Sequence, residues 1–217
     1  MIHCIGDSHV SVFTGTDRIS EGYPCAFDCL DGFRTYRTGP SLAYSMGDPN
    51  HNAFRWVYSI IATFVQPGDF AMLSFGEIDC RTHVAKQAEI QNRSVEDISR
   101  EISMRYSSAV ITLKRAGHKM LVYAPVPTLN HYNPSAAICD ENPYPHVGTT
   151  EQRNLATKII TEETARILEP EGVPVISIFN EVVDNKLNTD GSYYVDGVHL
   201  SQKVMPFILG KLSKIVK

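Results

Sequence analysis

Five short apolar runs punctuate this chain: Met1 to Ile5, Phe33 to Arg37, Phe70 to Phe75, Lys119 to Ala124, and Val173 to Phe179. Each has the length of a buried strand. Between them the apolar period lengthens. From about Val95 to Ala116, the residues Ile98, Ile102, Tyr106, Ala109, Val110 and Leu113 recur at helical spacings, and Gly117 supplies the stop. A second helix is expected from about Thr149 to Leu168, with Leu155, Ile159, Ile160, Ala165 and Leu168 on related faces. Glu169-Pro170-Glu171-Gly172 ends it. Further helices are expected over Ser41 to Met46, Asn52 to Val65 and Ser201 to Ile215. Strands alternating with helices predict βαβ units and an α/β protein of three layers with a parallel sheet.

No internal repeat, low-complexity tract or linker interrupts this pattern, so residues 1–217 read as a single domain. A 43% hydrophobic content suffices for one substantial core. Pro125 to Val147 departs from the pattern: about two dozen residues rich in Pro, Asn, Tyr and His, with little periodicity. It follows the fourth strand and is expected to rise on the same edge of the sheet as the end of the first, as a flap over a substrate.

The formal charge of −4 gives no electrostatic case for nucleic acid or anionic membranes as partners. No apolar run approaches the roughly 18 to 20 residues that span a bilayer. The five cysteines (Cys4, Cys25, Cys29, Cys80 and Cys139) are odd in number and irregularly spaced, which argues against a disulfide framework and for a reducing compartment. Cys25 and Cys29 read as two small side chains in a loop rather than zinc ligands, which would need two more close partners. A cleavable leader of about 15 to 30 residues would remove the first strand and the serine that follows it, so a cytoplasmic protein is expected.

Chemistry concentrates at the two ends of the chain. The first strand runs into Gly6-Asp7-Ser8-His9, and Asp196-Gly197-Val198-His199 precedes the last helix. A hydroxyl is a weak nucleophile until a base takes its proton and an acid orients that base. An Asp three residues before a His can reach that same imidazole from a short turn. Parallel sheets carry their chemistry at the carboxyl ends of strands, where Ser8 is expected. Each residue also has a plainer reading: Ser8 as a helix N-cap, His199 as a helix-entry residue, and Asp196 as a turn residue beside Gly197.

Taken in order, Gly6-Asp7-Ser8-His9, Gly39-Pro40, Gly76-Glu77-Ile78-Asp79 and Asp196-Gly197-Val198-His199 resemble the sequence blocks of the SGNH (GDSL-type) hydrolase superfamily. The blocks span nearly the whole chain. The resemblance implies a flavodoxin-like three-layer α/β/α sandwich with a five-stranded parallel sheet, order 2-1-3-4-5. It also implies serine esterase or acyltransferase chemistry with no cofactor and no metal, on a small or carbohydrate O-acyl ester, most simply an acetyl ester. Ser8 would be the nucleophile, His199 the base and then acid, and Asp196 the orienting carboxylate. Asp7, His9, Glu77 and Asp79, within or beside these blocks, are assigned to substrate contact.

One block departs from the family pattern. The oxyanion hole would use the backbone N–H groups of Ser8 and Gly39 and an Asn side chain in Gly-x-Asn-Asp. Ile78 stands at the Asn position and cannot donate. Arg81, just beyond it, is a candidate third donor, or else a clamp on Glu77 or Asp79. The run Gly76-Glu77-Ile78-Asp79-Cys80-Arg81 resembles a subgroup of these proteins found in bacterial polysaccharide-assembly settings. Two rival readings stand beside the enzyme. One is a non-catalytic carbohydrate-binding or scaffold protein that keeps the fold, which Ile78 favours. The other is a metallophosphoesterase, to which Asp7-Ser8-His9 is similar. That class needs further His and carboxylate ligands, and His83, His131 and His146 are scattered.

Overall fold

The computed structural model describes residues 1–19, 30–129 and 143–216. Cys25, Cys29, Cys139, His131 and the 130–142 portion of the expected flap lie outside the described residues.

Five strands, β1 (Ile2–Gly6), β2 (Phe33–Arg37), β3 (Phe70–Ser74), β4 (Lys119–Tyr123) and β5 (Val175–Ile176), form one sheet in the order β2-β1-β3-β4-β5, every pair parallel. This is the order the resemblance implied. β1 is buried from end to end, as a central strand covered on both faces must be. Side chains alternate across the sheet. Ile5, Leu73 and Val122 belong to one apolar cluster, whereas Cys4, Met72 and Leu121 belong to the other.

The first cluster is completed by α1 (Ala43–Met46), α2 (Asn52–Phe64), α4 (Val95–Arg115) and α5 (Thr150–Leu168), with α3 (Val84–Gln91) at its edge. The second is completed by a 3₁₀ segment Ser8–Thr14, α6 (Phe179–Val182) and α7 (Met205–Leu212). Three layers result. The apolar stripe of α4 is the expected one, and Ser99, Ser103 and Ser107 lie fully buried on the same helix. Their small side chains let α4 and α5 approach closely. Ser99 Oγ and Ser103 Oγ donate to the carbonyls of Val95 and Ser99, so these two buried hydroxyls are satisfied within the helix. Ser94 caps α4, and Thr149 with Gln152 forms a capping box on α5.

Several boundaries differ from the sequence expectation. The last strand is only two residues long: Ser177 Oγ accepts the N–H of Phe179 at 3.1 Å and turns the chain into α6. The helix expected over Ser201 to Ile215 splits into a 3₁₀ turn, Gln202–Val204, and α7, because Pro206 in the first turn of α7 has no N–H to donate backwards. The N-cap after β1 is Asp7, not Ser8: Asp7 Oδ1 accepts the N–H of His9 at 3.0 Å. Among the described residues no helix is long and apolar enough to cross a membrane.

Candidate active site

β1, β2 and β3 end level with one another, Gly6 pairing with Arg37 on one side and Ser74 on the other. A Cβ on Gly6 would sit 2.0 Å from the Ser74 carbonyl oxygen, so only glycine permits this approach. The chain then leaves the sheet at Asp7, whose N–H bonds Ser74 O at 3.3 Å, and presents Ser8 at the sheet's carboxyl edge.

The loop before α7 meets it there. His199 Nε2 lies 2.8 Å from Ser8 Oγ, across 191 residues of sequence. Asp196 Oδ2 lies 2.8 Å from His199 Nδ1. The same carboxylate fixes its own turn, its Oδ1 accepting the N–H groups of Val198 and His199, each at 2.7 Å. In the neutral ring, Nδ1–H donates to Asp196 and Nε2 accepts from the Ser8 hydroxyl. Burial pulls the His199 pKa below its ordinary 6.5, His9 pulls the same way, and Asp196 opposes both. The backbone donors to Asp196, together with His199, outweigh desolvation and hold that carboxyl below its usual range.

Gly39 follows β2 with φ +81° and faces open space where a Cβ would be. Its loop is anchored from two sides. Thr38 N donates to Gly6 O at 2.7 Å. Asp79 accepts the N–H groups of Ala43 and Tyr44 at 2.8 and 3.2 Å, at the start of α1. Burial pushes the Asp79 carboxyl up to about 7, against the pull of those donors.

The four residues expected to contact substrate are buried. Asp7, His9, Glu77 and Asp79 are each at most 5% exposed, and their partners are internal. Glu77 Oε1 accepts from Arg81 Nε at 2.7 Å, while its Oε2 lies 3.2 Å from His9 Nε2, an ion-pair contact off the hydrogen-bond direction. Burial would raise the Glu77 pKa, yet Arg81 and His9 bring it down to about 2. Arg81 Nη1 donates to the Tyr144 carbonyl. These contacts make Arg81 a clamp. Ile78 is buried as well, and its hydrocarbon side chain has no donor to offer.

The clamp lies in a π-helical turn, Asp79–His83, a form that concentrates at functional sites. Thr82 Oγ1 donates to Pro145 O, and Val147 N donates to Arg81 O, both at 2.8 Å, so the end of the long loop is stapled to this turn. Its beginning is held too: the Tyr194 hydroxyl donates to Pro127 O, and Thr128 N donates to Asn154 Oδ1. Sequence reasoning missed Asn154 and Tyr194, which carry no motif. Among the described residues no group of three or more His, Cys, Asp or Glu could hold a metal ion, and His83 packs against the Tyr144 ring.

No family model matches the chain, and no curated protein matches it. Solved structures do share its fold. A carbohydrate acetylesterase from Sinorhizobium meliloti aligns with a TM-score of 0.54 at 18% identity, over 99% of this chain and 97% of that one. The aryl esterase of M. smegmatis aligns with a TM-score of 0.54 at 20% identity, with the same coverage. The acetyl xylan esterase AlAXEase aligns over the whole of both chains, with a TM-score of 0.52 at 14% identity. Fold and edge together define an α/β sandwich of the kind these esterases use, carrying a Ser–His–Asp constellation at the carboxyl ends of its central strands.

Proposed function

We propose that this protein is an SGNH-type serine esterase or O-acyltransferase that works through an acyl-enzyme on Ser8. The continuous relay from Asp196 through His199 to Ser8, two contacts of 2.8 Å each, carries the reading. The Ser8 oxygen attacks the ester carbonyl as its proton passes to His199 Nε2. The oxyanion forms against the N–H groups of Ser8 and Gly39. The carbon–oxygen bond to the leaving alcohol then breaks, and that alcohol takes the proton from His199. Water or an acceptor hydroxyl repeats the sequence on the acyl-Ser8, which is why one site serves hydrolysis and transfer alike.

With two backbone donors and no Asn at the third position, the enzyme should be slow on generic esters, since one such donor is worth roughly 3 to 4 kcal/mol in the transition state. A carbohydrate O-acetyl ester is the substrate class we favour. Two of the fold neighbours are named for acetyl esters of carbohydrate or xylan. The Gly76–Arg81 run resembles the subgroup found in polysaccharide assembly. A cytoplasmic setting, with neither nucleic acid nor membrane as partner, fits the composition. The buried Ile78 gives the non-catalytic carbohydrate-binding reading its one specific support. A fluorophosphonate probe separates the two. Labelling of the Ser8 peptide, with slow p-nitrophenyl acetate cleavage lost in Ser8→Ala and untouched by a chelator, is the expected outcome. A chelator-sensitive rate restored by manganese or zinc would point to the phosphoesterase class instead. Absence of labelling and of turnover in the folded protein would leave the binding module.

A further inference from the structure

The Ser–His–Asp relay uses none of the buried charges directly beneath it. His9, adjacent to the nucleophile, is fully enclosed: Asp7 on the strand side, Glu77 from the loop after β3, and the ring of His199 in front. The two imidazole centroids are 5.0 Å apart with planes tilted by 33°. Glu77 itself is shared with Arg81, and Arg153 of α5 exerts its field on that same carboxylate. The cluster therefore sets two acidic and two basic groups, beyond Arg153, behind one catalytic ring.

Placed between two carboxylates, His9 is stabilised as the cation. Burial works against that charge, but attraction to Asp7 and Glu77 outweighs it and raises the His9 pKa, with Arg81 only partly opposing. Asp7 contributes as an opposite charge, although burial pushes its carboxyl up against the pull of His9, and its hydrogen bond goes to the backbone N–H of His9 and not to the ring. On the other side, His199 faces two groups that would make it more basic: Asp196 at its Nδ1 and, farther off, Glu77. Burial of the ring opposes them first and the charge of His9 adds to that opposition, and a protonated imidazole accepts nothing from a serine.

We propose that His9, as a buried imidazolium held against Glu77 and in the field of Asp7, is a positioning residue that acts through the His199 ring and, together with the burial of that ring, keeps it in the neutral form that accepts the Ser8 proton. This rests on the serine-hydrolase reading above. Two unit charges at this separation shift a titration by on the order of one to two pH units in a partly buried site. The acid limb of kcat/KM is thereby displaced downward, and the relay stays competent in mildly acidic solution. The Glu77–Arg81 clamp then has a second use, since it holds the carboxylate that keeps His9 charged.

The test is a histidine ring titration by nitrogen-detected NMR on the full chain, wild type against His9→Gln, with a parallel pH profile of p-nitrophenyl acetate cleavage. Glutamine keeps a polar side chain at this position without the charge. In wild type, His9 should remain doubly protonated at pH 7 while His199 titrates below its ordinary value. In His9→Gln the His199 midpoint and the acid limb should both rise, by on the order of one pH unit or more, with roughly tenfold lower kcat/KM one unit below the new midpoint. A midpoint that does not move overturns the proposal. If His9→Gln does not fold, the wild-type spectrum decides: a neutral His9 at pH 7 overturns it equally. The ring titration needs no turnover, so it is independent of Ser8 labelling, whose failure would count against the hydrolase reading itself.

Discussion

Replacing Arg81 by methionine tests whether the departure at Ile78 is repaired by a charged donor or backed by a structural clamp. The side chain is 13% exposed and its Nε sits 2.7 Å from a Glu77 carboxylate that is 4% exposed. Truncating one partner of a buried pair costs about 3 to 5 kcal/mol, because the other charge is left uncompensated. The Glu77 titration gives a similar size. Its folded pKa of about 2 lies below the ordinary 4.5, a displacement worth about 3 kcal/mol. The sign follows from the carboxylate: this stabilisation is present above pH 4.5 and is lost as the pH falls toward 2. His9 remains beside Glu77 in the variant, so the loss belongs at the lower end, about 3 kcal/mol. For a chain of this length that is a Tm lowered by about 6 to 12 °C. Methionine also releases the Tyr144 carbonyl and with it the end of the long loop. Thermal unfolding by circular dichroism, beside turnover of p-nitrophenyl acetate at a temperature where both proteins are folded, makes the measurement. The clamp predicts a large loss of Tm with kcat retained within about tenfold. A Tm near wild type with kcat reduced by about 100 to 1,000-fold at constant KM would refute it and make Arg81 the missing oxyanion donor.

Asp196→Asn should fold normally, since Oδ1 can still accept from Val198 and His199, and should lower kcat by about 100-fold or more because the amide no longer favours the tautomer with Nε2 free; stopped-flow or end-point ester cleavage reads it, and wild-type kcat would remove Asp196 from the relay. Gly6→Ala should be destabilised by several kcal/mol, at least about 3, as its Cβ meets the Ser74 carbonyl at 2.0 Å; a urea midpoint close to wild type would mean that β1 and β3 can separate at no cost. Asp79→Ala removes the acceptor for Ala43 and Tyr44 N–H and should lower both Tm and kcat, the latter through the Gly39 loop; unchanged kcat in a less stable protein would confine Asp79 to folding.

What was legible in the chain and what was not divides by range. The strands and the α4 stripe are written in local period, so Phe33–Arg37 and Ile98 to Leu113 lie where the pattern puts them. α3 carries almost no such signal: only Val84 and Ala88 are buried along Val84–Gln91, and two residues four apart do not make a stripe. Ser8 as a cap was a local reading that lost to an equally local competitor, because Asp7 is one residue better placed. The relay was legible for a different reason. Asp196 and His199 share one turn, and the carboxyl end of β1 is where a parallel sheet delivers a nucleophile.

The buried charges were not legible, although every residue in them stands in a motif. Glu77 and Arg81 have the spacing of a helical ion pair, so their contact could be anticipated. That Glu77 also faces His9, and that Asp79 holds the Ala43 and Tyr44 N–H groups, depends on pairings across the sheet edge that only the parallel register of β1 with β2 and β3 creates. The same register explains why polar residues beside the relay are a poor guide to substrate contact. At the carboxyl edge of a central strand, the side chain that points outward meets solvent and substrate, whereas its neighbour points into the core and must be neutralised there. Ser8 is the first kind. His9, Asp7 and Glu77 are the second, and of these the charges of His9 and Glu77 bear on the His199 ring, in opposite directions.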